Sequence, residues 1–174
     1  MELAAPQNQP KGVQKKMQQE ILHPIGKVTT LDGKTAILLE EEYAPALAGL
    51  ESFGCVQVIW WFSGCDNESS RSKLTAEKPY RKGPDVIGTF ATRSPERPNP
   101  IALSSAFITG VDRDYGILYL AYMDAFDGSP VLDIKPYTPS LDRVETPRVP
   151  DWCEHWPRSV EESGTFDWEE EFNF

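Results

Sequence analysis

The chain has 174 residues, 40% of them apolar, and a net charge of −10. That is enough to bury one core and form one domain. It has no apolar run near the roughly 20 residues of a membrane span and no apolar segment in its Gln- and Lys-rich N-terminus to act as a secretory signal. Three cysteines, Cys55, Cys65 and Cys153, without CxxC spacing, argue against a disulfide framework and suit a reducing, cytoplasmic setting. Cys153 with His155 supplies too few ligands for a metal, so none is expected.

Residues 1–20 are polar and poor in aromatics, which predicts a mobile arm, helical over residues 14–20. A first strand is expected over residues 21–28, with Pro24 marking an edge or bulge. Asp32-Gly33 turns the chain into a second strand over residues 35–39. Leu47, Leu50 and Phe53 recur at helical spacing, so residues 43–53 read as a short helix. Residues 56–62 are continuously apolar and read as a strand buried on both faces. They end in the turn Ser63-Gly64-Cys65-Asp66. Residues 66–85 are polar, without a period, and read as a long loop of the kind that carries function. Residues 86–90 and 101–108 read as strands flanking a Pro-rich segment, and residues 101–111 and 117–123 as a hairpin. After a turn at residues 124–130, residues 131–137 form the last strand. The Trp- and Glu-rich remainder, residues 139–174, is expected to wrap the body through Trp152, Trp156 and Trp168. Many short strands and no internal repeat predict a mainly β protein, a small antiparallel barrel or sandwich with short helical additions and an irregular C-terminal tail.

Charge is uneven. Residues 71–97 carry seven bases (Arg71, Lys73, Lys78, Arg81, Lys82, Arg93, Arg97) against three acids, whereas residues 139–174 carry ten acids against three bases. The first stretch suits a phosphate backbone and the second does not. Several chemical signatures are missing. The sequence has no GxGxxG after a strand, no GxxxxGK[ST], no GxSxG and no HExxH, and its having only two histidines, His23 and His155, argues against a His-based nucleophile triad.

Two constellations remain. In Ala91-Thr92-Arg93-Ser94-Pro95-Glu96-Arg97-Pro98-Asn99-Pro100, three prolines fix φ and hold Ser94, Arg97 and Asn99 extended. The result is a stiff loop presenting two guanidiniums, two hydroxyls and an amide, a common form of binding site. The competing reading is a plain turn in which Arg97 pairs with Glu96 or Asp85. In Asp124-x-x-Asp127-Gly128-Ser129-Pro130-x-x-Asp133-x-Lys135-Pro136-Tyr137, Asp133 and Lys135 share a strand face. A surface ion pair is the plain alternative there.

The segment Gly88-Thr89-Phe90-Ala91-Thr92-Arg93-Ser94-Pro95-Glu96-Arg97-Pro98-Asn99-Pro100-Ile101, followed by Asp127-Gly128-Ser129-Pro130-Val131-Leu132-Asp133-Ile134-Lys135-Pro136-Tyr137, resembles the TrmO/TsaA-like family. Gly49-Leu50-Glu51-x-Phe53 adds to the likeness, which covers residues 21–138. The resemblance implies a small β-barrel over those residues. It also implies an S-adenosylmethionine-dependent methyltransferase acting on N6 of threonylcarbamoyladenosine beside the tRNA anticodon, in a homodimer. The acidic extension then stands where longer members carry a C-terminal domain. Carried over residue by residue, the cofactor contacts would be Phe62, Ser63, Gly64, Arg93, Leu103, and Ala121-Tyr122-Met123-Asp124. Asp124 is the carboxylate expected near the cationic donor and Asn99 the group that orients the acceptor. Asp127, Asp133 or a Lys135–Tyr137 pair is expected to take the acceptor's proton. A small-molecule methyltransferase and a non-catalytic S-adenosylmethionine-binding module are the alternatives on the same barrel.

Overall fold

The computed structural model describes residues 20–173, so the predicted arm and its helix lie outside the described residues except for Glu20. Strands β1 (Gly26–Leu31) and β2 (Lys34–Leu39) form the first hairpin, turned by Asp32 at φ 50° and Gly33 at φ 75°. β1 starts after Pro24, and Ile21 and Leu22 are exposed, because a ring without a backbone N–H cannot extend the ladder. β3 (Cys55–Trp61) is followed by a short α1 (Glu68–Arg71) and by β4 (Thr75–Glu77), which pairs with β5 (Val86–Gly88). β6 (Ile101–Asp112), β7 (Ile117–Leu120) and β8 (Pro130–Pro136) complete the strands. In the tail, α2 (Pro139–Asp142) and α3 (Val160–Ser163) are single turns.

Six strands close into an antiparallel barrel in the order β1-β2-β7-β6-β3-β8. The fold is therefore mainly β, as the strand-and-turn pattern predicts. Val28, Ile37, Val56, Val58, Trp60, Leu118, Leu120 and Val131 point inward and are buried. Two sequence expectations are corrected. β3 alternates buried and half-buried positions rather than being buried on both faces, since a closed barrel has only one interior; Ile59 and Trp61 lie on its outside. The helix expected over residues 43–53 is two 3-10 turns, Glu41–Leu47 and Leu50–Ser52. Pro45 cannot donate the helical hydrogen bond, and Gly49 at φ 89° breaks the path.

The barrel closes through a short contact in which Gly26 faces Val131 and Lys27 faces Pro130. A Cβ on Gly26 would stand 2.4 Å from the Leu38 carbonyl oxygen and 2.8 Å from the Leu39 Cα, backbone atoms that cannot rotate away. Gly26→Ala is therefore expected to cost about 2 kcal/mol through overpacking, read as a lower urea midpoint with an unchanged m-value.

A second cluster forms outside the barrel. Tyr80 stacks on Trp152 at 4.9 Å and meets the edge of Trp156 at 5.3 Å; Trp156 meets Trp168 at 5.4 Å, and Trp168 stacks on Phe172 at 5.8 Å. Tyr80 also bridges Phe172 through the backbone. The tail thus holds residues 78–82 with rings, and with charges described below.

Candidate active site

The Pro-rich loop is built on its own backbone. Buried Thr89 donates its hydroxyl to the Lys73 carbonyl at 2.9 Å, and its N–H bonds the Leu74 carbonyl at 2.9 Å. Arg97 turns inward: Nε donates to the Ser94 carbonyl at 2.8 Å and an Nη to the Thr92 carbonyl at 2.7 Å. Arg97 is a strut of the loop and pairs with neither Glu96 nor Asp85, because a fork of N–H donors satisfies carbonyls that prolines leave without a ladder. Arg93 does the opposite and leaves the loop. It donates to the Leu103 carbonyl on β6.

That contact lands on an uncovered edge. β6 pairs with β3 from Ile101 to Phe107, but with β7 only from Ile108 onward. The carbonyls on the other side of the first half are reached from loops instead: Leu103 by Arg93 and Phe107 by the Ala121 N–H at 2.9 Å. Four residues of strand separate them by about 13 Å. An edge without a ladder partner therefore runs along the first half of β6, met by the Pro-rich loop through Arg93 at one end and by Ala121 at the other. Leu103 on this edge, and Phe90, Tyr122 and Phe126 in the segments that flank it in sequence, expose apolar surface.

The sequence-predicted residues fall into three places. Arg93 and Leu103 meet at one end of the unpaired β6 edge and Ala121 reaches its other end, with Tyr122 and Asp124 exposed just after Ala121. Met123 sits between them with its side chain in the core, so only its backbone is offered to a ligand. Phe62 follows β3, its N–H bonded to the Pro100 carbonyl at 2.8 Å and its ring 4.5 Å from Trp60; Ser63 and Gly64 begin an exposed 3-10 turn after it. Asp127 is exposed in the turn before β8, where Gly128 at φ 81° donates to the Val28 carbonyl. Among the described residues, Asp124 and Asp127 make no ion pair.

Asp133 and Lys135 lie outside the barrel, across β3 from β6. Ile59 pairs with both Leu103 and Asp133, and Gln57 with both Ser105 and Lys135. The register shift between Ile59 and Trp60 produces this arrangement. Val131 faces the core beside Trp60, and the extra residue, Leu132, turns Asp133 outward, as bulges commonly do near sites. Lys135 Nζ lies 2.6 Å from Asp133 Oδ2, and the Ile134 N–H donates to Oδ1. The bonded Asp133 carboxylate holds the Lys135 ammonium above the usual lysine range. Tyr137 is half-buried, its N–H on the Cys55 carbonyl.

A cluster not anticipated from the sequence joins the end of β3 to the Pro-rich loop. Asp66 accepts from Trp61 Nε1 at 3.1 Å and from an Arg71 Nη at 2.8 Å. The other Arg71 Nη donates to Asn99 Oδ1 at 3.4 Å. The guanidinium bonded to Asp66, with the indole N–H, holds that carboxyl below the usual carboxylate range. Asn67 starts α1 by accepting from the Ser70 N–H at 3.0 Å, which sets Arg71 one turn further on. The signal available in the sequence was Asn67-Glu68, a capping residue followed by an acid in the first turn.

The family model of the tRNA-methyltransferase O N-terminal domain matches residues 13–143, a span that contains the Pro-rich loop, β6 and residues 121–137. The chain belongs to the TrmO family. A TrmO from Pseudomonas aeruginosa shares the fold, with a TM-score of 0.59 at 26% identity over 77% of this chain and 62% of that one. An S-adenosyl-L-methionine-binding protein of Archaeoglobus fulgidus is 39% identical over 113 residues, 65% of this chain and 76% of that protein. A tRNA (adenine(37)-N6)-methyltransferase of Escherichia coli is 36% identical over 121 residues, 68% of this chain and 51% of the enzyme. The chain thus spans about half the length of the E. coli relative and less than two thirds of the solved TrmO. The residues that follow the TrmO match, 144–173, include the aromatic tail that packs on Tyr80.

Proposed function

We propose that this chain is an S-adenosylmethionine-dependent methyltransferase acting on N6 of adenosine 37 of tRNA, with threonylcarbamoyladenosine as the acceptor. The observation that carries the reading is the family match running through both ends of the unpaired β6 edge that Arg93 reaches, which is assigned as the floor of the cofactor cleft. The residues there fit the cofactor. Arg93 suits its carboxylate, Asp124 its cationic centre, and the exposed Leu103 and Tyr122 its apolar and planar parts. When bound, S-adenosylmethionine supplies an activated methyl group.

The protein's work is then alignment and exclusion of water. An acceptor N6–H gives up a proton during methylation. Asp127, exposed and free of an ion pair among the described residues, is assigned that proton. Lys135, held as a cation by Asp133 at 2.6 Å, is not assigned that role. The exposed Phe90, Tyr122 and Phe126 support a homodimer that covers them, which light scattering at micromolar concentration checks; a monomer there would count against it.

A second reading has a specific support. The A. fulgidus relative and one from Methanocaldococcus jannaschii, 32% identical over 70% of this chain and 94% of that protein, are named for S-adenosyl-L-methionine binding, the latter as a probable binder. A binding module without transfer, or transfer to a small molecule, fits the same cleft. Titration calorimetry with S-adenosylmethionine, then transfer of labelled methyl to tRNA carrying threonylcarbamoyladenosine, adenosine or guanosine at position 37, separates the readings. Label on the threonylcarbamoyladenosine form alone is expected. Tight cofactor binding without label on any tRNA would overturn the methyltransferase assignment to tRNA.

Charge neutralisation decides which cations serve a polyanion. Arg81 pairs with Glu170 at 3.0 Å, and Lys82 lies 3.7 Å from Glu171. Lys78 lies 3.8 Å from Asp85. Replacing Lys78, Arg81 and Lys82 by Gln is therefore expected to leave the salt slope of tRNA binding unchanged, whereas Lys73→Gln should reduce it by about 0.7 to 0.9, the value for one phosphate contact. Filter binding between low and physiological salt reads both slopes.

A further inference from the structure

The network Trp61–Asp66–Arg71–Asn99 has no part in the barrel's core, yet it ties three separate segments together. Trp61 is the last residue of β3, Asp66 follows the exposed turn Ser63–Cys65, Arg71 ends α1, and Asn99 stands between two prolines of the loop. Each link is directional. The Trp61 indole N–H and an Arg71 Nη occupy the two oxygens of Asp66, which leaves the second Arg71 Nη to donate to Asn99. The guanidinium also lies over the Trp61 ring, 6.0 Å from its centre, which limits its rotation.

The consequence concerns the amide. A guanidinium has donors only and an amide has one acceptor oxygen and one NH2. With Oδ1 turned to Arg71, the amide must turn its two Nδ2 hydrogens the other way. Pro98 and Pro100 stiffen the backbone around it, and the side chain is exposed. We propose that Arg71 is a positioning residue that sets Asn99 as a hydrogen-bond donor to the substrate, so that the site selects an acceptor bearing a lone-pair oxygen or ring nitrogen beside the methylated atom. For the identity of that acceptor, the proposal rests on the methyltransferase reading above. The ionised state of Asp66, favoured by its donors, keeps the guanidinium from swinging into solvent. An aspartate at position 99 would bond Arg71 equally well but would have nothing to donate.

The test is a double-mutant cycle on the full chain, with melting temperature and S-adenosylmethionine affinity recorded for every variant. Arg71→Gln is expected to lower kcat/KM for tRNA about tenfold, the usual effect of losing a charge-assisted hydrogen bond, with cofactor affinity unchanged. In an Asn99→Ala background the same change is expected to have less than a twofold effect, because a residue that acts through Asn99 has nothing left to position. Asn99→Asp is expected to be as impaired as Asn99→Ala. Equal effects of Arg71→Gln in both backgrounds, or an active Asn99→Asp, would overturn the proposal. A second readout is independent of turnover. The side-chain amide 1H–15N pair of Asn99, assigned by its loss in Asn99→Ala, should shift toward solvent-exposed values in Arg71→Gln; an unmoved pair would also overturn it. If the unaltered chain transfers no methyl to tRNA, the functional reading fails, and the amide signals alone decide whether Arg71 orients Asn99.

Discussion

Arg93→Ala is expected to weaken S-adenosylmethionine binding by more than tenfold while moving the melting temperature by no more than about 2 °C. The guanidinium is exposed and makes no ion pair among the described residues; its contact is the Leu103 carbonyl on the uncovered edge of β6. Water can replace it on that carbonyl at little net cost, since a typical hydrogen bond contributes only about 1 kcal/mol to folding. A ligand carboxylate has no such substitute, and charge-assisted bonds are about twice as strong as neutral ones. Arg97→Ala is the informative contrast. Arg97 spends its donors on the carbonyls of Ser94 and Thr92 inside the loop, so its loss should lower melting temperature and affinity together. Calorimetry beside thermal melts separates the two. Unchanged affinity in folded Arg93→Ala would remove this residue from the site.

Trp156→Ala is expected to release the tail, at a cost of about 3 kcal/mol to its docking, the lower part of the range for removing a packed aromatic. The ring touches both Tyr80 and Trp168, and its indole N–H donates to Glu171 at 3.0 Å. Glu171 is buried, and also bonds His155 at 2.7 Å. Truncation therefore strips a partner from a buried carboxylate as well as area from the cluster. Arg81, which donates to Glu170 and to the Glu169 and Phe172 carbonyls, should then become open to trypsin, while the barrel, which shares none of these rings, keeps its unfolding midpoint. The same carboxylate gives tail docking a pH dependence. The bonds from His155 and then Trp156 hold Glu171 below its ordinary value of 4.5. A depressed carboxyl stabilises the docked state above the ordinary value and loses that contribution as pH falls through the depressed one. Tryptophan fluorescence should report loosening only below about pH 4.5, and Glu171→Gln should abolish that step. A step of equal size in Glu171→Gln would assign it to another group.

Much of the barrel is legible in local pattern. The apolar runs at residues 35–39 and 117–120 and the Asp32-Gly33 turn depend on neighbours a few positions away, and β2 and β7 stand where those runs put them, whereas the first strand starts later than residue 21 because of Pro24. The helix expected over residues 43–53 failed because periodicity counts apolar residues and takes no account of the donor missing at Pro45 or the left-handed backbone at Gly49. The two-faced burial expected for β3 failed because a continuous apolar run does not say whether its outer face is covered by helices or by half-exposed neighbours.

The site divides in the same way. The stiffness of residues 91–100, the placement of Asp133 and Lys135 on one face, and the family to which the chain belongs were determined by the sequence itself, because proline geometry, strand period and motif order are local or linear properties. Only the tertiary structure decided the direction of the two guanidiniums, Arg97 folded into its own loop and Arg93 extended to β6, since both sit in one proline-rich segment and differ in which carbonyls lie within reach. It alone decided that Arg81 and Lys82 lie beside the acids of residues 169–171, almost ninety positions away. Net charge along a chain sums without regard to distance, whereas a Coulomb contact falls off with separation and is screened within about 10 Å; folding chooses which charges come that close.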